Sequence, residues 1–150
     1  MSITASGLYG LTLEKQFIDT IGLSLESETA VKVLMVLDAL TPNFDTHDFR
    51  ADVTANEVSG TGYSAGGNTL TTTEITLSSG VLTYDGADVA WPTSTISNAM
   101  AAVGYFARGG ADTADELMFL SDFVTQASSS GGTFTIQWAA AGIFTVDYTP

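Results

Sequence analysis

The side chains best suited to metal chemistry lie in one short stretch, where Asp45, His47 and Asp48 occur together. His47 is the single histidine and the chain has no cysteine, so one chain cannot assemble a zinc or iron site from two such ligands. A weak calcium site is possible here or around Asp112 and Asp115. The better interpretation is that these acidic residues are scattered, exposed carboxylates that bind no metal. The sequence therefore predicts no metal and no cofactor.

A glycine-rich stretch, EVSGTGYSAGGNTLT at residues 57–71, is the candidate for a phosphate-binding loop. Such a loop leads into the first turn of a helix and usually carries a lysine followed by serine or threonine. Here Gly67 is followed by NTLTTTEITL, which has the alternation of a strand and contains no lysine. The stretch is therefore predicted to be a contact or register loop that uses the conformational freedom of glycine.

Catalysis has few candidate residues. A serine triad would have to use His47, and the chain contains no Gly-x-Ser-x-Gly motif. Carboxylate pairs could support glycoside hydrolysis, but most acidic residues fall in turns or at helix starts, where capping explains them. Trp91 and Trp138 could form a sugar platform, yet packing in the core is the better interpretation. We expect no enzyme.

The charge is strongly one-sided, with 4 Lys and Arg against 17 Asp and Glu, giving −13. Nucleic acids and anionic lipids both require a cationic surface, so we expect neither as a partner. Residues 89–107 carry no charge but contain Pro92 and Asn98, unlike a membrane span. The opening MSITASGLYG lacks the basic start and apolar run of a signal peptide, and the lack of cysteine fits assembly in a reducing cytoplasm.

The N-terminal half is predicted to contain a helix and a strand that position the candidate residues. The periodicity of residues 8–21 predicts an amphipathic helix, and the apolar run at 31–37 predicts a central strand. Asp45 is expected to cap a short helix that carries His47, Phe49 and Arg50.

The C-terminal half alternates threonine with apolar residues around turns at Ser79-Gly80 and Asp85-Gly86, which predicts a β-meander. Further strands are expected at 99–106, 117–124 and 133–138, with loops at 107–116 and 126–132 and a closing strand after Gly142. This spacing predicts one mainly β domain over residues 1–150, an antiparallel, jelly-roll-like β-sandwich with a short N-terminal helix. The expected core side chains are Val33, Met35, Leu37, Val103, Tyr105, Phe119, Phe134 and Ile136.

Four stretches together resemble a family of small structural proteins of tailed bacteriophages. They are AVKVLMV, TPNFDTHDFRADVTANEVSGTGYSAGGNTLT, LTYDGADVAWPTSTIS and SSSGGTFTIQWAAAGIF, and their order and spacing cover nearly the whole chain. The alanine-rich residues 98–116 depart from the family pattern, where a more polar strand and loop is expected. The resemblance implies a non-enzymatic virion component, with decoration (cement) of the outer head surface as the leading role. It also implies the major capsid protein as partner and a homo-oligomer, with a trimer as one option.

Contacts with a partner are expected from two segments, residues 1–11 as a contact arm and residues 44–67. The first is more apolar than an unattached terminus requires, and the second is too long for a plain turn. The candidate contact residues are Ile3, Leu8, Tyr9, Phe44, His47, Phe49, Arg50 and Tyr63.

Two other roles remain open, a carbohydrate- or receptor-binding module of a tail fibre and a tail-tube or tail-terminator subunit. Exposed aromatic rings beside carboxylates would favour sugar binding, whereas buried Trp91 and Trp138 would favour decoration of the head.

Overall fold

The computed structural model describes residues 2–18, 22, 24–26 and 30–148. The predicted fold class is confirmed, because these residues form two antiparallel sheets and a single short α-helix. In chain order the elements are β1 (Gly7–Leu8), α1 (Gly10–Phe17), β2 (Val31–Leu37), β3 (Gly60–Thr61), β4 (Asn68–Thr69), β5 (Glu74–Ser78), β6 (Val81–Asp85), β7 (Val89–Phe106), β8 (Leu117–Ile136) and β9 (Phe144–Asp147).

The larger sheet has the order β1-β8-β7-β2-β4, with β3 paired to the first half of β7. As predicted from its apolar run, β2 is a central strand, and it pairs with β7 from Val31↔Phe106 to Leu37↔Ala99. A strand that is apolar on both sides suits this position because both of its faces are covered.

The smaller sheet has the order β5-β6-β9. Its β5–β6 hairpin turns at Ser79-Gly80, where the sequence predicts a turn. The predicted meander is wrong beyond this point, because β6 pairs with β9 and the next strand, β7, belongs to the larger sheet. After Asp85-Gly86 the chain thus crosses between layers into the uncharged β7, whose first half alternates buried with exposed residues and whose second half is buried.

The predicted loop at residues 126–132 is also wrong, because these residues form the middle of β8. Serine and glycine favour loops, but here the pairing of β8 with β7 overrides that local preference. The register shifts at several points along this pairing, and such bulges bend a hairpin sharply. The rings of Phe119 and Trp138 lie 5.9 Å apart, although Phe119 is near the start of β8 and Trp138 follows its end, so the hairpin folds back on itself.

The helical predictions for the N-terminal half need correction. The helix α1 spans Gly10–Phe17 rather than residues 8–21; residue 8 belongs to β1, and residues 19–21 lie outside the described part of the chain. No helix starts at Asp45, because Asn43 Oδ1 instead accepts the N–H groups of residues 45 and 46 in a turn. Two 3-10 turns follow instead, at Arg50–Asp52 and Thr54–Asn56. At the first of them, Asp52 Oδ2 accepts the N–H groups of residues 48 and 49.

Two apolar clusters cover the two faces of the larger sheet. Between the sheets, Val33 and Met35 pack with Trp91, Phe119 and residues of the smaller sheet. On the opposite face, a layer formed by the N-terminal segment and residues 40–53 packs on β2, β7 and β8. Of the predicted core residues, Leu37 is half-buried. The other seven are buried: Val33, Met35, Val103, Tyr105, Phe119, Phe134 and Ile136.

Candidate interaction surfaces

The N-terminal segment packs as part of the domain. Ile3 and Tyr9 have no exposed surface, and the N–H groups of Ser2 and Ile3 donate to Asp38 Oδ1 at 2.8 and 3.2 Å. Further along, Ser6 Oγ accepts the N–H of residue 122 at 2.9 Å. An arm built from residues 1–11 would therefore have to leave these contacts, and Ile3 and Tyr9 offer no side-chain surface to a partner in this fold.

The predicted contact residues between positions 44 and 50 lie together and pack against the N-terminal segment. The ring of Phe44 lies 5.3 Å from that of Tyr9, and the ring of His47 lies 6.5 Å from it. Lys15 Nζ is 4.5 Å above the ring of Phe49. All four residues, Phe44, His47, Phe49 and Arg50, are half-buried, as is Leu8, so this cluster joins the outer layer to the sheet and leaves only part of each side chain for a partner.

The glycine-rich stretch is fastened to the central strands. Tyr63 Oη donates to Glu57 Oε1 at 2.7 Å and accepts the N–H of Met35 at 3.1 Å. The N–H of Gly66 donates to the same Glu57 oxygen at 2.6 Å. Gly67 has φ +66° and lies so close to the Val33 carbonyl that a Cβ would overlap it. The stretch therefore serves as a register loop, and Glu57, which holds it closed, was missed as a key residue.

The hydroxyl of Tyr105 provides a second attachment, donating to the Gly66 carbonyl at 2.6 Å. Burial, as the main cause, raises the pKa of Tyr105 to about 12. Burial also raises the pKa of Tyr63 well above its usual value, and the nearby Glu57 acts in the same direction. Both phenols are therefore neutral donors at physiological pH.

Most carboxylates near the loop that joins β7 to β8 form ion pairs with arginine side chains. Asp115 accepts Arg50 Nε at 3.0 Å and the N–H of Arg108 at 2.8 Å. Glu116 accepts two hydrogen bonds from the Arg108 guanidinium at 2.7 Å each. In the described ranges, no group of three or more histidine, cysteine or acidic residues is arranged to hold a metal ion. These carboxylates act in ion pairs that fix the loops.

Charge is segregated across the molecule. Residues 58–73, 89–107 and 123–146 contain no charged residue, and their strands β3, β7 and β8 are neighbours in one sheet. The solvent-exposed positions of these strands carry mainly Ser, Thr, Gly, Asn and Gln; we call this surface the neutral face. By contrast, residues 38–57 contain five carboxylates and residues 108–116 contain three.

The two tryptophans differ in exposure. Trp91 is buried, whereas Trp138 is half-buried and its indole N–H donates to the Ala87 carbonyl at 3.1 Å. A shallow cleft of about 240 Å³ beside Trp138 is lined also by Asp122, Phe123 and Gln137. The prediction of core packing is therefore confirmed for Trp91, while Trp138 borders a cleft that contains a carboxylate.

A second cavity lies between α1 and the smaller sheet. It measures about 390 Å³, and its lining is almost entirely apolar, including Leu13, Phe17, Leu25, Leu82, Phe144 and Val146. We call it the apolar groove. Next to it, Phe17 is 81% exposed, Ile18 60% and Leu77 66%. No local pattern in the sequence indicates a binding site at these residues.

Comparisons of the chain with protein-family models, with curated proteins and with solved structures gave no match. Among the described residues, no helix has the length and apolar character needed to cross a membrane.

Proposed function

We propose that this protein is a non-enzymatic virion component of a tailed bacteriophage that decorates the outer surface of the head. In this role it contacts the major capsid protein, associates as a homo-oligomer and stabilises the assembled shell. The phage assignment comes from the sequence resemblance. The structure contributes a surface that is suited to the role.

The observation that carries the proposal is the segregation of charge. In a chain of net charge −13, all exposed residues of β3, of β7 and of β8 from residue 123 onward are uncharged, and these strands are adjacent. Burying charged side chains in an interface costs desolvation energy, whereas small hydroxyl and amide groups can exchange water for hydrogen bonds to a partner. The neutral face is therefore the surface we assign to the shell, with the acidic loops directed to solvent.

Stabilisation would follow from mass action, because a ligand that binds the assembled shell but not its separate subunits shifts the equilibrium toward the shell. Copies of a protein with charge −13 repel one another when exposed to the same solvent. Attachment therefore has to come from uncharged contacts, such as those of the neutral face, or from basic residues of the capsid. Binding that is insensitive to salt would indicate uncharged contacts.

Co-sedimentation with empty heads of the phage that encodes the chain tests this proposal. Ser130, exposed on β8 within the neutral face, is changed to glutamate, and Thr76, exposed on β5 of the smaller sheet, is changed in the same way as a control. Both variants gain one negative charge. We expect Ser130→Glu to lower the amount bound to heads and Thr76→Glu to bind as the unchanged protein does. Absence of binding by the unchanged protein, or equal binding by the two variants, contradicts the proposal.

A second candidate function is a carbohydrate-binding module of a tail fibre, and the cleft beside Trp138 favours it. An aromatic ring next to a carboxylate and an amide is a common arrangement for holding a sugar, and here Asp122 and Gln137 share the cleft with the indole. Screening the protein against bacterial surface glycans tests it. Binding that is lost in Gln137→Ala but retained in Thr76→Glu would support this function over head decoration.

A further inference from the structure

The apolar groove is the open end of the space between the two sheets. Directly opposite residues of an antiparallel sheet point to the same side, so the pairing of β5, β6 and β9 places two rows of side chains on the inner face of the smaller sheet. The row Ile75–Tyr84–Phe144 packs against the core. The next row, Leu77–Leu82–Val146, lies further out, and two of its members line the groove.

The opposite wall of the groove is α1. Thr12, Leu13, Gln16 and Phe17 of this helix line the groove, and Leu8 and Met118 contribute from the larger sheet. Phe17 at the end of the helix is 81% exposed, and Leu77 on the other side is 66% exposed. Large apolar side chains clustered around a concave apolar surface mark a binding site far more often than single exposed apolar residues do.

The charges around the groove indicate the kind of partner. Glu14 follows Leu13 on α1, and Glu26 follows Leu25 on the connection to β2; both glutamates are exposed. Lys15 is directed to the other side of the helix, where its Nζ contacts Asp48 Oδ1 at 2.6 Å. No basic residue is found among the described residues that line the groove. A cationic partner is therefore attracted to this region, whereas a second copy of the chain would bring further negative charge to it.

We propose that the apolar groove binds a segment of another protein that has an apolar centre flanked by lysine or arginine. The apolar side chains of the segment enter the space between Phe17 and Leu82, and the flanking cations lie near Glu14 and Glu26. The inference does not depend on the role in a phage head, since peptide binding at the groove and attachment of the neutral face to a shell are measured separately.

Two labelled synthetic peptides test the proposal, with the same leucine-rich centre and with either lysine or glutamate flanks. Fluorescence anisotropy is recorded as each is titrated with the full chain. We expect the lysine-flanked peptide to bind, its affinity to fall as salt is added, and the glutamate-flanked peptide to bind more weakly. Equal affinity for both peptides, or no binding of the lysine-flanked peptide at millimolar protein, would overturn the proposal.

Variants of the two walls locate the binding. Phe17→Ser and Leu77→Ser change exposed residues of different elements, and each should weaken binding of the lysine-flanked peptide about fivefold or more. Val124→Ser is the matched control, because Val124 is 67% exposed but belongs to β8 of the larger sheet. It should leave the affinity unchanged. A loss of affinity in Val124→Ser equal to that in Phe17→Ser would place the binding elsewhere and overturn the proposal.

Other occupants of the groove are distinguished in the same experiments. Sedimentation velocity of the protein alone reports whether a second copy fills the groove, and co-sedimentation with phosphatidylcholine vesicles reports binding to a lipid surface. An oligomer, or vesicle binding, that Phe17→Ser abolishes would assign the groove to that occupant and overturn the proposal. We expect Phe17→Ser to change neither measurement.

Discussion

The hydroxyl of Tyr105 donates a hydrogen bond of 2.6 Å to the carbonyl of Gly66, joining a central strand to the glycine-rich stretch. This contact spans 39 residues of sequence and is buried. It shows what the glycines accomplish: they let the backbone of the stretch approach β2 and β7 closely, so that its polar groups are satisfied by those strands.

Gly67→Ala should strongly destabilise the fold. Residue 67 has φ +66°, and an added Cβ would overlap the carbonyl of Val33. The left-handed conformation alone costs about 1 to 3 kcal/mol for a residue with a side chain, and the overlap adds to this. Gly110→Ala is the control, because a Cβ there has no neighbour within 4 Å. Urea denaturation measures both, and equal midpoints would contradict the close approach.

Tyr105→Phe should lower the free energy of unfolding by about 1 to 3 kcal/mol, since it leaves the buried Gly66 carbonyl without its donor. Because the pKa of the Tyr105 hydroxyl is raised, the unchanged protein should also lose stability at alkaline pH. The pKa of Tyr105 is about 12 in the folded chain against 10.0 for an unperturbed tyrosine. Its contribution is therefore complete below pH 10 and disappears as the pH rises through about 12. Tyr105→Phe should flatten this part of the pH profile, and an unchanged profile would contradict the assignment.

Asp38→Asn tests the attachment of the N-terminal segment. Although desolvation acts to raise it, the pKa of Asp38 is lowered, because its carboxylate accepts the N–H groups of Ile3 and Ser2. A lowered pKa gives stability that is present above the unfolded value of 3.8 and is lost as the pH falls through the folded value. The variant should therefore be less stable near neutrality and lose less stability on acidification. Thermal unfolding across the acid range measures this, with Asp45→Asn as an exposed control.

Two ion pairs should differ in how much the free energy of unfolding falls when one partner is removed. Asp115 is nearly buried, with 5% of its side chain exposed, and it accepts hydrogen bonds from the Arg50 guanidinium and from the backbone N–H of Arg108. Asp115→Asn should cost about 3 to 5 kcal/mol, because it leaves Arg50 without its charge partner in a poorly hydrated position. Asp48, the partner of Lys15, is more exposed than Asp115. Asp48→Asn should therefore lower the free energy of unfolding by only about 1 kcal/mol or less. Similar denaturation midpoints for the two variants would contradict this ranking.

The elements that the sequence predicts correctly are those with strong local patterns. The apolar run of β2, the turn at Ser79-Gly80 and most core residues follow from hydrophobic alternation and turn chemistry alone. The middle of β8 was missed because residues 126–132 are strand only through their pairing with β7. Local composition cannot report such a long-range pairing.

The candidate surfaces were harder to predict for the same reason. The neutral face is formed by three segments that are distant in sequence and adjacent only in the sheet. The apolar groove joins α1 to strands more than 60 residues away. Conversely, Ile3 and Tyr9 were chosen for contact because they are apolar near a terminus, and the fold uses that apolar surface in its own core.

The position of this chain on the virion tests the central claim most directly. Electron cryomicroscopy of the phage that encodes it should show the two-sheet domain on the outer surface of the head, with the neutral face of β3, β7 and β8 toward the major capsid protein and the acidic loops toward solvent. Density for the domain in the tail, or heads without it in particles that contain the protein, would contradict the claim.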